Sequence, residues 1–582
     1  MKSVKEAANF IWSIADLLRG DYKQSDYGKV ILPFTVLRRL DCVLADTKPA
    51  VLKKLEQVQA MNIQNMDPIL NKEAGYNFHN RSKFDFDRLI ADPQHLASNL
   101  RHYINGFSED AREIIEQFEF DNQITKLDDS NLLFMVLKRF QEVDLHPATV
   151  SSMDMGYMFE ELIRKFAELS NETAGEHFTP REVIKLMVNL LFIDDREVLT
   201  QKGIVKTIFD CCAGTGGMLS VAEEYLQELN PDARLEMFGQ EVNGESYAIC
   251  KADMLIKGQN PANIKRANSL KRQESEKQKP DQFIGQQFDY LITNPPFGVE
   301  WKKVEKEVKD EHSHMGHGGR YGAGLPAISD GSLLFLMNLM SKMRPREKGG
   351  SRLAIVFNGS PLFSGSPSAK KNESSIRQWV IENDLLEAIV ALPNQLFYNT
   401  GIATYVWVLS NHKAPQRRGR VQLINAVDFY QKMSKSLGDK RHELSDQHIA
   451  EITRLYGAYE EGPHCKIFDN ADFGYHKVTV ERPERNAKGE VVTDKKGNPK
   501  PDSSLRDTEN IPLREDIDDY IQREVLPHVP DAWVDHSKTV VGYEVNFTKY
   551  FYQYKPLRSL EEIRADILAL EQQTEGLMKQ VL

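Results

Sequence analysis

The stretch Val205-Lys-Thr-Ile-Phe-Asp-Cys-Cys-Ala-Gly-Thr-Gly-Gly217 decides the fold. It begins with a short apolar run, Val205–Phe209, and its glycines lead into a helical pattern over Gly217–Leu229. A strand, a glycine-rich turn and a helix form the first unit of a parallel sheet that holds a ligand at its carboxyl edge. No Lys-Ser/Thr pair follows the glycines, and their spacing differs from G-x-G-x-x-G. The turn is therefore neither a P-loop nor a dinucleotide fingerprint.

Strand and helix patterns alternate on both sides of this turn. Helical patterns between the strands include Gly217–Leu229 and Ile376–Asn383. We therefore predict an α/β fold with a parallel, doubly wound sheet over residues 151–430. The predicted strands are Val205–Phe209, Leu235–Gly239, Phe288–Thr293, Leu353–Phe357, Leu386–Ala391 and Thr404–Leu409.

The regions that flank the sheet have different patterns. Residues 1–150 carry apolar side chains at i, i+3 and i+4 spacing, which predicts a helical N-terminal domain. Residues 431–555 are expected to form an extension with a charged hairpin or flexible loop at 484–504. Residues 556–582 predict a terminal helix behind a Ser559-x-x-Glu562 capping box. That helix packs either on the chain's own core or on a partner helix.

Composition limits the class of protein. The five cysteines include no C-x-x-C pair, which argues against a disulfide framework and against a zinc site. No apolar run approaches the ~18–20 residues that span a bilayer, so we expect a cytosolic chain without membrane contact. The net charge is −11, from 74 basic and 85 acidic residues. A nucleic-acid substrate would therefore require a partner that supplies binding energy, because phosphate contacts need basic side chains.

Asn294-Pro295-Pro296-Phe297 follows the predicted strand Phe288–Thr293. Two consecutive prolines fix the backbone and donate no hydrogen bond, so their carbonyl groups stay available as acceptors. Asn294 adds an amide oxygen and Phe297 adds a flat apolar face. The combination suits a planar amino group that is held by acceptors and stacked, as for an extruded base. The alternative is a loop that the prolines merely stiffen.

Three further places complete the candidate site. Glu241 ends the second strand, where a carboxylate can accept both hydroxyls of a ribose. Asn268 lies at the turn where an adenine edge is expected. Upstream, Glu176-His177-Phe178-Thr179-Pro180-Arg181 begins a helix with proline in its first turn. By itself this last motif is also consistent with a plain helix start, with Arg181 paired to a structural carboxylate.

The order of these motifs resembles class I S-adenosylmethionine (SAM)-dependent methyltransferases that act on N6 of adenine in DNA. Over most of its length the chain is similar to the modification (M) subunit of type I restriction–modification systems. The resemblance implies a Rossmann-like sheet with a helical N-terminal domain and a C-terminal helical tail. One departure is Cys211-Cys212, since the family often has Asp-Pro at Asp210-Cys211.

The resemblance also implies roles and partners. It implies methyl transfer from SAM to adenine in a specific DNA sequence, with a separate specificity (S) subunit, a second copy of this chain and restriction (R) subunits as partners. The implied catalytic residues are Asn294, Pro295, Pro296 and Phe297. The implied cofactor-binding residues are Glu176, His177, Phe178, Thr179, Pro180, Arg181, Asp210, Ala213, Gly214, Thr215, Gly216, Gly217, Glu241 and Asn268.

Two other functions share some of these features. NPP-aromatic motifs also serve methyl transfer to a protein glutamine or to an RNA base, and a non-catalytic assembly scaffold could keep the same fold. Residues 298–332 predict a long loop that closes over the base or the DNA backbone. Within it, His312, His314 and His317 are flanked by glycines, and we expect no metal site there.

Overall fold

A computed structural model describes residues 10–61, 63–170, 179–195, 199–275, 278–296, 298–369, 372–398, 400–552 and 559–581. The chain divides into two compact units, Met1–Val545 and Asn546–Leu582. Among the described residues no helix has the length and apolar character needed to cross a membrane.

The first part of the larger unit is helical, as predicted. Its helices are α1 (Ala15–Leu18), α2 (Gly28–Leu44), α3 (Lys48–Ala60), α4 (Asp67–Ala74), α5 (Phe86–Ile90), α6 (Leu96–Asn105), α7 (Glu109–Glu116), α8 (Phe120–Asp129), α9 (Leu133–Gln141) and α10 (Ser152–Ser170). Their buried apolar side chains form one core, in which Phe34 stacks on Phe140. The same core includes Ala248 and Ile249 from the sheet region, so the helical region packs directly against it.

A nine-stranded sheet forms the centre of the larger unit, in the order β11-β8-β6-β7-β5-β4-β1-β2-β3. Its strands are β1 (Val205–Asp210), β2 (Arg234–Glu241), β3 (Ile264–Arg266), β4 (Tyr290–Thr293), β5 (Arg352–Asn358), β6 (Leu386–Ala391), β7 (Thr404–Ser410), β8 (Arg420–Asn425) and β11 (Cys465–Asp469). The run β5-β4-β1-β2-β3 is parallel throughout. The carboxyl ends of these five strands therefore meet at one edge of the sheet.

The sheet is not parallel everywhere, and the prediction is wrong there. Strand β7 runs antiparallel to both of its neighbours, β5 and β6, and β11 runs antiparallel to β8. The described residues between Ala391 and Thr404 contain no helix. A parallel return needs a crossover, usually a helix, so a chain without one turns back beside the strand it has just left.

Helices cover the sheet. They are α11 (Arg181–Phe192), α12 (Gly217–Leu229), α13 (Gly244–Ile256), α14 (Glu305–Met315), α15 (Ser332–Met340), α16 (Ser360–Phe363), α17 (Glu373–Glu382) and α18 (Asp446–Ala458). Helix α14 lies within residues 298–332, where the sequence predicted a long loop, so that prediction is wrong. Trp301, Arg320 and Tyr321 of this segment are buried, which makes it part of the packed structure.

The rest of the chain is built from shorter elements. β9 (Gln431–Leu437) pairs with β10 (Lys440–Glu443), and a small sheet holds β12 (Gly474–Glu481), β13 (Asp507–Pro512), β14 (Trp533–Val534) and β15 (Val540–Tyr543), beside α19 (Ile517–Tyr520). Backbone hydrogen bonds from Val492 to Glu484 and from Lys500 to Val492, both 2.8 Å, make the charged segment a hairpin.

The smaller unit contains α20 (Phe547–Phe551) and α21 (Leu560–Val581). The backbone nitrogen of Ser559 donates to Glu562 Oε2 at 3.0 Å, and that of Glu562 donates to Ser559 Oγ at 3.2 Å. The predicted capping box is therefore formed. Whether the helix binds its own chain or a partner stays a prediction, as do the domain boundaries proposed from the sequence.

A buried ion pair joins the first residue of β5 to β6. Arg352 Nη2 lies 2.9 Å from Glu387 Oε1, and both residues are almost fully buried. Arg352 Nε also donates to the Leu191 carbonyl at the end of α11. Burial would raise the pKa of Glu387, but the charge of Arg352 lowers it below its usual value.

Glu387→Ala should lower the free energy of unfolding by roughly 3–5 kcal/mol, because it leaves Arg352 buried without its main counter-charge. Urea unfolding followed by tryptophan fluorescence measures this. Glu451→Ala is the matched control, since its partner Arg454 is exposed and such pairs contribute about 0–1 kcal/mol. Arg352→Met combined with Glu387→Leu should recover most of the loss; equal losses in Glu387→Ala and the control would contradict this account.

Candidate active site

The glycine-rich turn connects β1 to α12 at the carboxyl edge of the sheet. Gly214 and Gly216 have φ values of +53° and +87°, a region that side chains with Cβ rarely adopt. At Gly216 a Cβ atom would lie 2.8 Å from Cys250 Sγ, so there is also no space for one. Glycine is therefore required at this position both by conformation and by packing against α13.

Glu241 closes β2 and holds the turn in place. Its Oε2 accepts the Gly214 backbone N–H at 2.9 Å, and its Oε1 accepts those of Val242 and Asn243, both at 2.8 Å. Burial raises the pKa of this carboxyl, and the three backbone donors lower it in part. A carboxylate has about four acceptor positions, so beside the three backbone donors Glu241 keeps acceptor capacity for a ligand hydroxyl. That it accepts both hydroxyls of a ribose stays a prediction.

Asp210 ends β1 beside Thr293, the residue that precedes Asn294. Its Oδ1 accepts the Thr293 hydroxyl at 2.7 Å and the Cys212 N–H at 2.9 Å. Burial raises the pKa of Asp210 to about 7, and these two hydrogen bonds oppose the shift. The Cys212 nitrogen, in the segment where the sequence departs from the family pattern, thus donates to the strand-end carboxyl.

Asn294 follows β4, the neighbour of β1 in the sheet. It is 9% exposed, and its Nδ2 donates to Thr179 Oγ1 at 2.9 Å. Thr179 and Pro180 directly precede α11, so the structure brings two motifs together that are 115 residues apart in the chain. In this orientation the amide nitrogen of Asn294 donates to Thr179, and Oδ1 is the acceptor end of the side chain.

Arg181 and Asn268 hold neighbouring parts of the site. Arg181 Nη1 lies 3.5 Å from the Gly217 carbonyl, and a Cβ at Gly156 would lie 2.2 Å from Arg181 Nη2. The guanidinium is therefore confined between α10 and the glycine-rich turn. Asn268 Oδ1 accepts the Leu270 N–H at 3.0 Å and its Nδ2 donates to Gln278 at 3.1 Å. Its amide thus stabilises the wall in which it lies.

These elements surround a cavity of about 390 Å³. The sequence-predicted residues that line it are Thr179, Asp210, Ala213, Gly214, Thr215, Gly217, Glu241, Asn268, Asn294 and Pro296. The predicted residues Pro180, Arg181, Gly216 and Pro295 lie beside the cavity in the chain without lining it. Glu176, His177, Phe178 and Phe297 lie outside the described residues.

Sequence reasoning did not assign the apolar wall of the cavity. Val242, Leu270, Trp301, Val304 and Phe335 line it. Two of them could have been assigned to the cavity from the sequence, because Val242 follows the predicted ribose-binding residue Glu241 and Leu270 follows Asn268 by two positions. No local pattern assigns Trp301 or Phe335 to the cavity, since each reaches it through tertiary packing of the segment that follows Pro296.

The three histidines of residues 298–332 have separate partners. His312 Nδ1 lies 2.6 Å from the Tyr321 carbonyl, His314 Nδ1 lies 2.8 Å from the Asp310 carbonyl, and the His317 ring stacks on Trp379. Within the part of the chain that the structure describes, no group of three or more His, Cys, Asp or Glu residues is placed to hold a metal ion.

Residues 151–479 match the model of the N-6 DNA methylase family, and residues 7–140 match that of the HsdM N-terminal domain. The chain belongs to the N-6 DNA methylase family. This confirms the resemblance to modification subunits that the motifs indicated. The family match begins upstream of the glycine-rich turn and extends beyond β11, so it contains every residue that lines the cavity.

Relatives of this N-6 DNA methylase carry related names. The MjaIX type I restriction enzyme methylase subunit of Methanocaldococcus jannaschii is 24% identical over 474 residues, which is 78% of each chain. The EcoKI methylase subunit of Escherichia coli K12 is 24% identical over 377 residues, covering 61% of this chain and 63% of that one. The crystal structure of a type I restriction-modification methyltransferase subunit from Streptococcus thermophilus has a TM-score of 0.61 at 21% identity, covering 81% of this chain and 97% of that one. That likeness shows the shared fold.

Asp210 should make stability depend on pH. Its carboxyl has a pKa of about 7 when folded and an ordinary value of 3.8, so folding favours the protonated form and stability falls as pH rises between those values. Asp210→Asn keeps an acceptor oxygen but cannot ionise. Its free energy of unfolding relative to the unaltered chain should therefore increase by roughly 1.4 kcal/mol per pH unit from about pH 5 to about pH 7, and level off by about pH 8.

Urea unfolding at these pH values measures this difference. Asp232→Asn, an exposed change in the turn before β2, controls for the loss of a carboxylate as such. An Asp210→Asn difference that stays constant with pH would show that the carboxyl is ionised in the folded chain across this range.

Proposed function

We propose that this chain is the methyltransferase (M) subunit of a type I restriction–modification enzyme and that it transfers a methyl group from SAM to N6 of adenine in DNA. One observation carries the proposal. In a chain of the N-6 DNA methylase family, the glycine-rich turn, Glu241 and Asn294 surround a single cavity.

The residues around the cavity fit SAM. Glu241 Oε2 has an acceptor position for a ribose hydroxyl, and Val242, Leu270 and Phe335 offer apolar surface for a purine ring. The turn at Gly214–Gly216 lets the backbone approach a ligand closely, and the N-terminus of α12 suits the carboxylate of the amino-acid end. The volume of about 390 Å³ falls within the usual range for small-molecule sites.

SAM, when bound, supplies a methyl group on a positively charged sulfur that becomes neutral on leaving. The chain's task is to prepare the amine, whose lone pair is delocalised into the adenine ring. Asn294 Oδ1 and the Pro295 carbonyl would accept the two N6 protons and draw the nitrogen toward sp³ geometry. This returns electron density to the nitrogen for in-line attack, and no strong general base is needed, since N6 becomes acidic once it is methylated.

Orientation provides much of the remaining catalysis. Holding two reacting groups in line can contribute ~7–11 kcal/mol. The Thr179 hydroxyl, bonded to Asn294 Nδ2, limits rotation of the catalytic amide. Phe297, which lies outside the described residues, is proposed to stack on the extruded adenine. Such stacking is worth roughly 1–3 kcal/mol and offsets part of the cost of unstacking the base.

Recognition of the DNA sequence is proposed to reside in a separate specificity subunit. The net charge of −11 gives this chain little general attraction for phosphate, so DNA affinity has to come from a partner. A complex of two copies of this chain with one specificity chain would form the modification enzyme, and restriction chains would add cleavage.

A transfer assay with radiolabelled SAM tests the proposal. The chain is assayed with and without its specificity subunit on DNA, RNA and a glutamine-containing protein acceptor. Label in N6-methyladenine of DNA, dependent on the specificity subunit, supports it. Label in RNA or in protein alone would show that DNA is not the substrate. The absence of both transfer and SAM binding would favour a non-catalytic scaffold.

Asn294→Ala should reduce methylation by roughly 10²–10³-fold, as expected when one preorganised group at a reacting centre is lost. The Kd for SAM, measured by calorimetry, should change by less than about threefold, because the amide acts on the amine and not on the cofactor. Asn383→Ala, at the exposed end of α17, is the control and should leave both quantities unchanged. A normal rate in Asn294→Ala would remove Asn294 from the mechanism.

Gly216→Ala should weaken SAM binding about tenfold or more, since it combines a disfavoured backbone conformation of ~1–2 kcal/mol with a contact to Cys250 Sγ. Gly203→Ala is the matched control, because Gly203 also has a positive φ of +69° but has open space around it. Adding Cys250→Ala to Gly216→Ala removes the sulfur and should restore part of the affinity. A double variant no better than Gly216→Ala would refute the packing explanation.

A further inference from the structure

Helix α14 and the residues after it hold one wall of the cavity from outside. The wall segment, defined here as Ser269–Gln273, follows Asn268, and its first two residues line the cavity. These residues follow β3 and belong to no strand. Their backbone groups therefore need partners from elsewhere in the structure.

Arg320 supplies three of those partners. Its Nη1 donates to the Ser269 carbonyl at 2.8 Å, and its Nη2 lies 3.3 Å from the Leu270 carbonyl and 3.4 Å from that of Lys271. One guanidinium thus contacts three consecutive carbonyl groups. Its Nε and Nη2 also donate to both carboxylate oxygens of Glu311 on α14, at 3.0 and 2.7 Å.

Two neighbours of Arg320, Tyr321 and Glu307, hold the same segment. The Tyr321 hydroxyl lies 3.3 Å from the Leu270 carbonyl. Glu307 Oε2 accepts the backbone N–H groups of Arg272 and Gln273, both at 3.1 Å. We name the group Glu307, Glu311, Arg320 and Tyr321 the α14 clamp. It binds the wall segment through both donors and acceptors, so the segment cannot shift without breaking charged hydrogen bonds.

A second layer connects the clamp to the rest of the cavity. Asp281 Oδ2 accepts from Lys342 at 2.6 Å and from Asn338 at 2.9 Å, and lies 3.3 Å from Arg320 Nη1. Asn338 is on α15, the helix that carries the cavity residue Phe335. Gln240, which precedes Glu241, donates to Ser269 Oγ at 2.7 Å.

The α14 clamp is also connected through the chain to Asn294 and Pro296. The chain runs from Pro296 to α14 through Val299 and Trp301, which line the cavity. Trp301 Nε1 donates to the Ala327 carbonyl at 2.9 Å, and the Gly331 nitrogen donates to the Val299 carbonyl at 3.1 Å. The stretch after Asn294 and the wall segment are therefore both hydrogen-bonded to residues 307–331.

We propose that Arg320 is a positioning residue for SAM binding, which holds the wall segment at the distance from Glu241 and the glycine-rich turn that the cofactor requires. This inference rests on the proposed cofactor site and adds a residue to it that touches neither cofactor nor base. Each of the three carbonyls has a second donor, from Asn338, Tyr321 or the Asp281 N–H, but the planar guanidinium with its five donors connects all three to the Glu311 carboxylate. A lysine would keep the positive charge but lose the planar arrangement of donors.

Arg320→Lys in the full-length chain tests the proposal. Calorimetry with S-adenosylhomocysteine, well below the melting temperature of each variant, should show Kd raised about tenfold or more. In the transfer assay KM for SAM should rise by a similar factor while kcat falls less. Lys309→Ala is the matched control, because Lys309 lies on the same helix in an exposed pair with Glu305 and contacts no part of the clamp. It should bind like the unaltered chain.

A merely structural role would lower the melting temperature and leave Kd of the folded protein unchanged, and that result would overturn the inference. If Arg320→Lys does not fold, Arg320→Met combined with Glu311→Leu removes both charges together and is measured in the same way. A double variant that binds like the unaltered chain likewise overturns it. Failure of the unaltered chain to bind S-adenosylhomocysteine would overturn the proposed function itself, and this inference with it.

Discussion

The parallel alignment of β4, β1 and β2 is the constraint on which the rest of the structure depends. Because the three strands are neighbours and run in the same direction, Asn294, Asp210 and Glu241 leave the sheet at one edge. Asn294 and the Glu241 carboxylate therefore lie on one cavity, although they are 53 residues apart in the sequence. Every chemical role assigned to the chain requires this juxtaposition.

Several polar side chains at the edge of the sheet are buried, and their hydrogen bonds determine how the cavity is built. Buried polar groups there have defined partners, such as Thr293 for Asp210, Thr179 for Asn294 and three backbone N–H groups for Glu241. Unpaired polar groups would each cost about 1–3 kcal/mol, so these contacts fix one arrangement of the site. The chain thus gains a preorganised cavity from the same hydrogen bonds that keep it folded.

Local patterns predicted the parts of this arrangement that local chemistry determines. The glycine-rich turn, helix Gly217–Leu229 and strand Leu386–Ala391 have the predicted bounds, because glycine conformation and apolar periodicity act over a few residues. The direction of β7, the helix Glu305–Met315 and the role of Arg320 were not predicted. Arg320 contacts carbonyl groups 49 to 51 residues away, and no short spacing in the sequence encodes such a contact.

Two of the buried arginines, Arg352 and Arg320, differ in what they satisfy. Arg352 balances Glu387 and donates to the Leu191 carbonyl within a regular helix, and a buried ion pair of that kind can often be replaced by apolar side chains at little cost. Arg320 balances Glu311 but also serves the carbonyls of a segment that cannot join the sheet, since one side of it faces a ligand cavity. Apolar side chains cannot donate to those oxygens. A backbone that borders a cavity in irregular conformation therefore requires a polar group behind it, and this requirement connects position 320 to the function of the site rather than to stability alone.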